Sequence, residues 1–262
     1  PCPTSSGPSP LTIAAARAAA LWPDSKEAGA GYTDGADFVD QTATEPGRPF
    51  TATAEDTGTT TNTASDVTAS AGPSHVDDAK NWTLGTVPTT GDDVVVNGGA
   101  AMLYGMGSIT ADSWEFRDGY TQPVGLPAYN AAGYVEYRTR ELTINAASVV
   151  VRCGSNRMNV KAVASSTWRV EATGQRESED VPALDIGATG NPTRVEVSGG
   201  DAGVLTADET TARTVATLAV TGDESRVTLG RLLTATALDM DRGRVDTFGT
   251  VTTATVGRGE YT

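Results

Sequence analysis

The chain has 262 residues, with 33 acidic against 19 basic side chains, a net charge of −14, a hydrophobic fraction of 38% and an aromatic fraction of 6%. That balance repels a nucleic-acid backbone and an anionic membrane surface. One histidine, His75, and two cysteines, Cys2 and Cys153, exclude a multi-histidine metal site, a zinc ribbon and a disulfide scaffold.

With 40 Thr and 29 Gly, any core must be built from Val, Leu, Ile and Ala on short segments, which favours many brief strands over long helices. The first expected element is an amphipathic helix over Leu11 to Trp22, started by Ser9-Pro10 and stopped by Pro23. A secretion signal is the other reading of that stretch, but Arg17 interrupts its apolar run and no basic segment precedes it. Asp37 to Val39 and Arg48 to Thr53 alternate on either side of the turn signal Glu45-Pro46-Gly47 and predict a hairpin. Thr57 to Pro73 lacks the large apolar residues a core needs and reads as a linker, with an exposed edge strand as the alternative. The expected division is a small α+β module with its linker over 1–72 and a β-rich domain over 73–262. No run approaches the ~18 apolar residues of a membrane span, so a soluble chain is expected.

From Asn81 onward, short β-prone runs are broken every few residues by Gly, Asp or Asn. Strands are expected at Asp93 to Val96, Glu141 to Ile144, Ser148 to Val151, Asn159 to Val163, Trp168 to Glu171 and Arg194 to Val197. More follow at Thr217 to Val220, Arg226 to Leu229, Ala237 to Met240, Arg244 to Thr247 and Ala254 to Val256. The last third repeats. Leu218-Ala-Val220, Leu238-Asp-Met240 and Ala254-Thr-Val256 line up, and a second strand follows each at Val227, Val245 and Tyr261. A two-strand unit of this size cannot fold alone and must stack on its neighbours. The fold predicted is mainly β, a right-handed parallel β-helix (a solenoid) behind the α+β module; a sandwich of meandering hairpins is the competitor. Under the stacked reading Leu218, Val220, Leu238, Met240 and Val256 share one aliphatic core.

The segment from Asn81 to Arg138 carries the most specific wording: NWTLGTVPTTGDDVVVNGG, then MLYGM, GLPAYN and GYVEYR. This order, in particular "W…G.VP..GD.V..", resembles a family of β-helical virion structural proteins of tailed bacteriophages and prophages. The Ala-rich helix and the hairpin before it look like the small module that often precedes the β-helix in that family. The resemblance spans roughly the first half of the chain; it implies a fold and a virion location and transfers no catalytic residue. Independently of it, Pro88 and Gly91 make Val87 to Gly91 a turn that launches Val94 to Val96. Trp82 would then cap the first layer of the core, or else stand exposed to stack on a sugar.

Tyr104, Tyr120, Tyr129, Tyr134 and Tyr137 are dense for a chain with only 7 Tyr. They read either as a packed loop excursion or as a contact surface for protein or glycan. Asp92 and Asp93 precede a strand and point to opposite faces, so they do not cooperate. The acidic loop Glu177-Ser178-Glu179-Asp180 lacks the Gly-punctuated spacing of a calcium loop and reads as solvated. Asp239, Asp241 and Asp246 are the carboxylates a β-helical glycosidase would need on one face, but no matching set on a neighbouring unit is evident. His75 has no G-x-S-x-G elbow to serve, and no phosphate-binding Gly-rich loop occurs. Asn81-Trp82-Thr83 is a glycosylation sequon that a virion context makes irrelevant.

The expectation is therefore a non-enzymatic virion protein, a capsid decoration or fibre component without cofactor or metal. Its partners are other virion proteins and further copies of itself, a trimer being favoured, with no nucleic acid and no membrane. A homo-oligomer, or continuation into further residues, would cover the open end after Tyr261. A tailspike-like receptor-binding protein or polysaccharide depolymerase is the alternative, and a bacterial surface adhesin a third reading.

Overall fold

The computed structural model describes residues 30–34, 39–43, 71–129, 132–136, 138–176, 178, 181–204 and 210–262. The chain divides into two compact units, Pro1–Gly72 and Pro73–Thr262. In the first, β1 (Ala30–Asp34) pairs antiparallel with β2 (Val39–Ala43). The hairpin thus turns one step earlier than the expected pairing of Asp37 to Val39 with Arg48 to Thr53. The expected helix at Leu11 to Trp22 and the strand at Arg48 to Thr53 lie outside the described residues.

Among its described residues the second unit is all β apart from one 3-10 turn at Ala79–Asn81, and these strands alternate between two sheets of eight. One sheet takes β3 (Asp93–Val96), β5 (Ser113–Phe116), β7 (Ser148–Arg152), β9 (Thr167–Ala172), β11 (Arg194–Val197), β13 (Arg213–Val220), β15 (Leu233–Met240) and β17 (Thr250–Val256). The other takes β4 (Ser108–Thr110), β6 (Leu142–Asn145), β8 (Met158–Ala162), β10 (Leu184–Ala188), β12 (Asp201–Val204), β14 (Arg226–Leu229), β16 (Arg244–Thr247) and β18 (Glu260–Tyr261). Each strand pairs in parallel with the strand two places later in the chain, and no antiparallel pair joins strands of either sheet. A sandwich of hairpins is thereby excluded.

Side-chain alternation explains the placement. In β3 the sequence Asp-Val-Val-Val buries its second and fourth residues, and β5, β11 and β14 repeat the pattern. The parallel register then stacks like positions. Val94, Trp114, Val149, Trp168, Val195, Leu218 and Leu238 form one inward column, and Ala254 continues its register on the exposed strand β17. In the other sheet Ala202, Val227, Val245 and Tyr261 follow one another. The three-fold alignment expected for the last third is the observed register at both strands of each unit. Each fully buried aliphatic side chain contributes about 1.5–3 kcal/mol. A four-residue strand has no stability of its own, so stacking supplies it.

The buried residues form one continuous cluster, with Trp82, Val87 and Met102 packed against it. Leu218, Val220, Leu238 and Met240 are core residues, but Val256 is 43% exposed because no described strand covers β17. The turn into β3 has the expected form. Gly91 sits at φ +99°, the Thr89 amide donates to Asp92 Oδ2, and the Gly91 amide donates to Asp112 Oδ1 across the layers. Four strands escape the sequence pattern: β4, β5, β10 and β12. The last two are almost wholly buried and use Ala and Gly, which have weak strand preference of their own.

Candidate functional site

The tyrosine cluster, with Tyr104 ahead of β4 and the others between β5 and β6 in the chain, does not present one surface. Tyr120 is fully buried against Phe116, their ring centroids 5.9 Å apart, and its hydroxyl donates to the carbonyls of Ala100 (3.4 Å) and Pro123 (3.3 Å). Burial pushes its phenol far above the ordinary value. Tyr120 therefore belongs to the core and is corrected out of the expected contact surface. Tyr104 is half-buried, with the His75 ring at 5.2 Å and the Arg138 guanidinium 5.3 Å from its centroid. Arg138 in turn donates to the buried Glu136 through Nε (2.8 Å) and Nη2 (2.6 Å). Tyr129 and Tyr134 are each 61% exposed, Tyr129 bridging to Val135. Tyr137 lies outside the described residues. Of the five, the structure leaves Tyr129 and Tyr134 on the surface.

Trp82 packs as a cap. Its indole meets Trp114 edge-on at 5.9 Å and its Nε1 donates to the Val76 carbonyl at 2.9 Å, so its ring edge is committed to the fold. His75, expected beside a linker, is instead 3% exposed and bridges in parallel to Tyr104, with Nδ1 3.4 Å from Asp77 Oδ1. Cys153 is buried with its thiol 3.4 Å from the Met158 sulfur, and burial raises its pKa. Cys2 lies outside the described residues, as do Glu177, Glu179 and Asp180.

The three acids of the last third do not converge. Asp239 faces outward on β15, Asp241 pairs with Arg242 at 3.4 Å, and Asp246 stands on β16 in the other sheet. Asp246 accepts from Arg226 Nε (3.0 Å), Arg244 Nε (2.8 Å) and the Thr262 hydroxyl (2.6 Å). Burial pushes this carboxyl up, but the hydrogen bonds from Thr262, Arg244 and Arg226 outweigh it and hold it below the usual range. Asp92 closes its turn and Asp93 accepts from the Ser113 hydroxyl at 2.5 Å, so those two serve separate structural bonds.

What the sequence reading missed is a set of arginine clamps at the corners and along the outer faces. Glu115 accepts from Arg117 Nε (2.8 Å) and Arg152 Nε (2.8 Å), tying two layers together. Hydrogen bonds from Arg117 and then Arg152 hold its carboxyl below the ordinary value. Arg176 grips Asp201 with both Nε (2.8 Å) and Nη2 (2.6 Å). Two open depressions among the described residues are lined partly by these groups, one by Asn97, Arg117, Asp118 and Arg152, the other around Arg176, Asp201, Glu224 and Arg226. Their arginines are already engaged by carboxylates, so the geometry is that of layer staples. Among the described residues no three His, Cys, Asp or Glu are placed to hold a metal ion, and no helix is long and apolar enough to cross a membrane. Compared with known proteins, the chain matches no family model, no curated sequence and no solved structure.

Proposed function

We propose that Pro73–Thr262 is a right-handed parallel β-helix and that the protein is a non-enzymatic structural component of a bacteriophage virion, a capsid decoration or fibre protein acting as a homo-oligomer. One observation carries the reading: strand after strand returns in parallel register over a single hydrophobic core, with Glu115 and Asp246 tied into arginine clamps that join layers. Such a body has its chemistry invested in cohesion. It suits a protein that must bind other virion subunits and resist its surroundings. The "W…G.VP..GD.V.." wording and its resemblance to virion proteins supply the location. The small unit before it, with its hairpin, is the part that docks on the particle, since strand edges offer unpaired backbone groups.

The test uses particles assembled from the genome that encodes the chain. The protein should co-purify with them at fixed occupancy, and deletion of residues 1–72 should abolish incorporation while leaving the β spectrum of the remainder intact. Particles that lack the protein overturn the reading. Release of reducing ends from host polysaccharide by the purified protein would favour the depolymerase alternative instead.

A further inference from the structure

The outer face of the first sheet changes character along the stack. Its early strands turn Asp93, Glu115, Arg169, Arg194 and Glu196 outward. Across β13, β15 and β17 the register instead sets Thr214, Thr234 and Thr250 in one outward column and Thr217, Ala237 and Thr253 in a second. In a chain of net charge −14, this uncharged area is where like molecules approach with least repulsion.

Its two borders differ. In the corner before each strand, Leu232 and Phe248 are 38% and 66% exposed. They stand two residues before Thr234 and Thr250, which are register partners, so they occupy one column in adjacent layers. Arg231 is exposed beside Leu232, whereas Asp239 is exposed at the opposite border, and among the described residues neither has an ion-pair partner. The face is apolar and positive along one side, hydroxyl-lined across its width, and negative along the other.

We propose that this face joins copies of the chain side by side around an axis parallel to the stack, the Arg231–Phe248 border of one copy meeting the Asp239 border of the next. Rotation about an axis parallel to the stack sets the positive border of one copy on the negative border of the next, in a two-fold pair or head-to-tail around a closed ring, whereas a two-fold axis along the strands would set like charges together. Copies at one level set equal layers beside each other, because strand spacing within the stack is the same ~4.8 Å in each. The opposite, unpaired charges favour a second copy over a glycan, which several aromatic platforms would suit better than the single ring of Phe248. The inference rests on the homo-oligomeric reading above and specifies its surface.

Light scattering on the full chain should give a multiple of 26.9 kDa, three in the trimeric case. Phe248→Glu, and independently Thr253→Glu in the exposed second column, should each shift that mass to the single chain. Arg231→Glu alone and Asp239→Arg alone should each weaken association by about tenfold or more, and the double reversal should restore it. An oligomer that withstands Phe248→Glu and Thr253→Glu overturns the face while leaving the oligomeric reading standing. A wild-type monomer overturns both, with virion docking tested separately by co-purification. A monomer that binds polysaccharide and loses that binding with Phe248→Glu assigns the face to glycan and also overturns the proposal.

Discussion

Replacing Leu218 by Ala removes three carbons from a side chain that is fully buried between Val195 and Leu238 in its own sheet. At about 0.8 kcal/mol per buried carbon the lost transfer free energy is about 2.4 kcal/mol. The void adds to this. The layers on either side are held at fixed spacing by ladder hydrogen bonds, so the site closes poorly and the total should reach about 3–5 kcal/mol. Val256→Ala is the matched control: at 43% exposure on β17 it should cost less than about 1 kcal/mol. Urea unfolding followed by circular dichroism and by Trp fluorescence gives both values, provided the two probes coincide and the slope is unchanged. Equal losses at the two positions, or a loss below about 1 kcal/mol at Leu218, would refute the single stacked core.

Three further outcomes are expected. Asp246 and Glu115 have folded-state pKa values below their unfolded ones, so their contribution is complete above about pH 5 and disappears as pH falls through the lowered values; Asp246→Asn should flatten the acid limb of the stability profile, and an unchanged limb contradicts the clamp. Tyr120→Phe should lose about 1 kcal/mol through its two carbonyl partners, and spectrophotometric titration of the native protein should show one phenol fewer ionising at alkaline pH than after unfolding. Gly222→Ala would bring a Cβ to 1.8 Å from the Ser198 carbonyl oxygen and should destabilise by more than about 3 kcal/mol, while Gly98→Ala, with open space around it, should stay within about 0.5 kcal/mol; both are read from thermal melts.

The last third was the most legible part of the sequence because its inward residues are aliphatic and recur at both strands of each unit. Leu218, Leu238 and Ala254 can be aligned without coordinates, and so can Val227, Val245 and Tyr261. Strand β5 was hidden differently from β10 and β12: Ser113-Trp-Glu-Phe116 alternates well but sits amid wording that reads as a motif. Local density of tyrosine carried no orientation. Tyr120 turns inward because the Asp118-Gly119 bend brings it back onto Phe116, with its amide donating to the Arg117 carbonyl at 2.8 Å, a contact that spacing cannot reveal. Half of two arginine clamps was visible, since Arg244 and Asp246, and Glu115 and Arg117, lie two residues apart, whereas Arg176 and Asp201 are 25 residues apart. The other halves, Arg226 and Arg152, come from neighbouring layers and need the register to be known.

In the β-helix proposed for the second unit, the ladder bonds run along the stack while the covalent chain runs around it. Tension applied between the first and last layers therefore loads those bonds one layer at a time, and the molecule yields by unwinding circuit by circuit. By subtraction of register partners, a circuit holds 20 residues from Leu218 to Leu238, 16 from Leu238 to Ala254 and 35 from Trp114 to Val149. At roughly 3.5 Å per residue these release about 70, 56 and 120 Å of chain. A single-molecule force trace would spell out the layers as steps of unequal length, the longest marking the tyrosine-bearing excursion between β5 and β6.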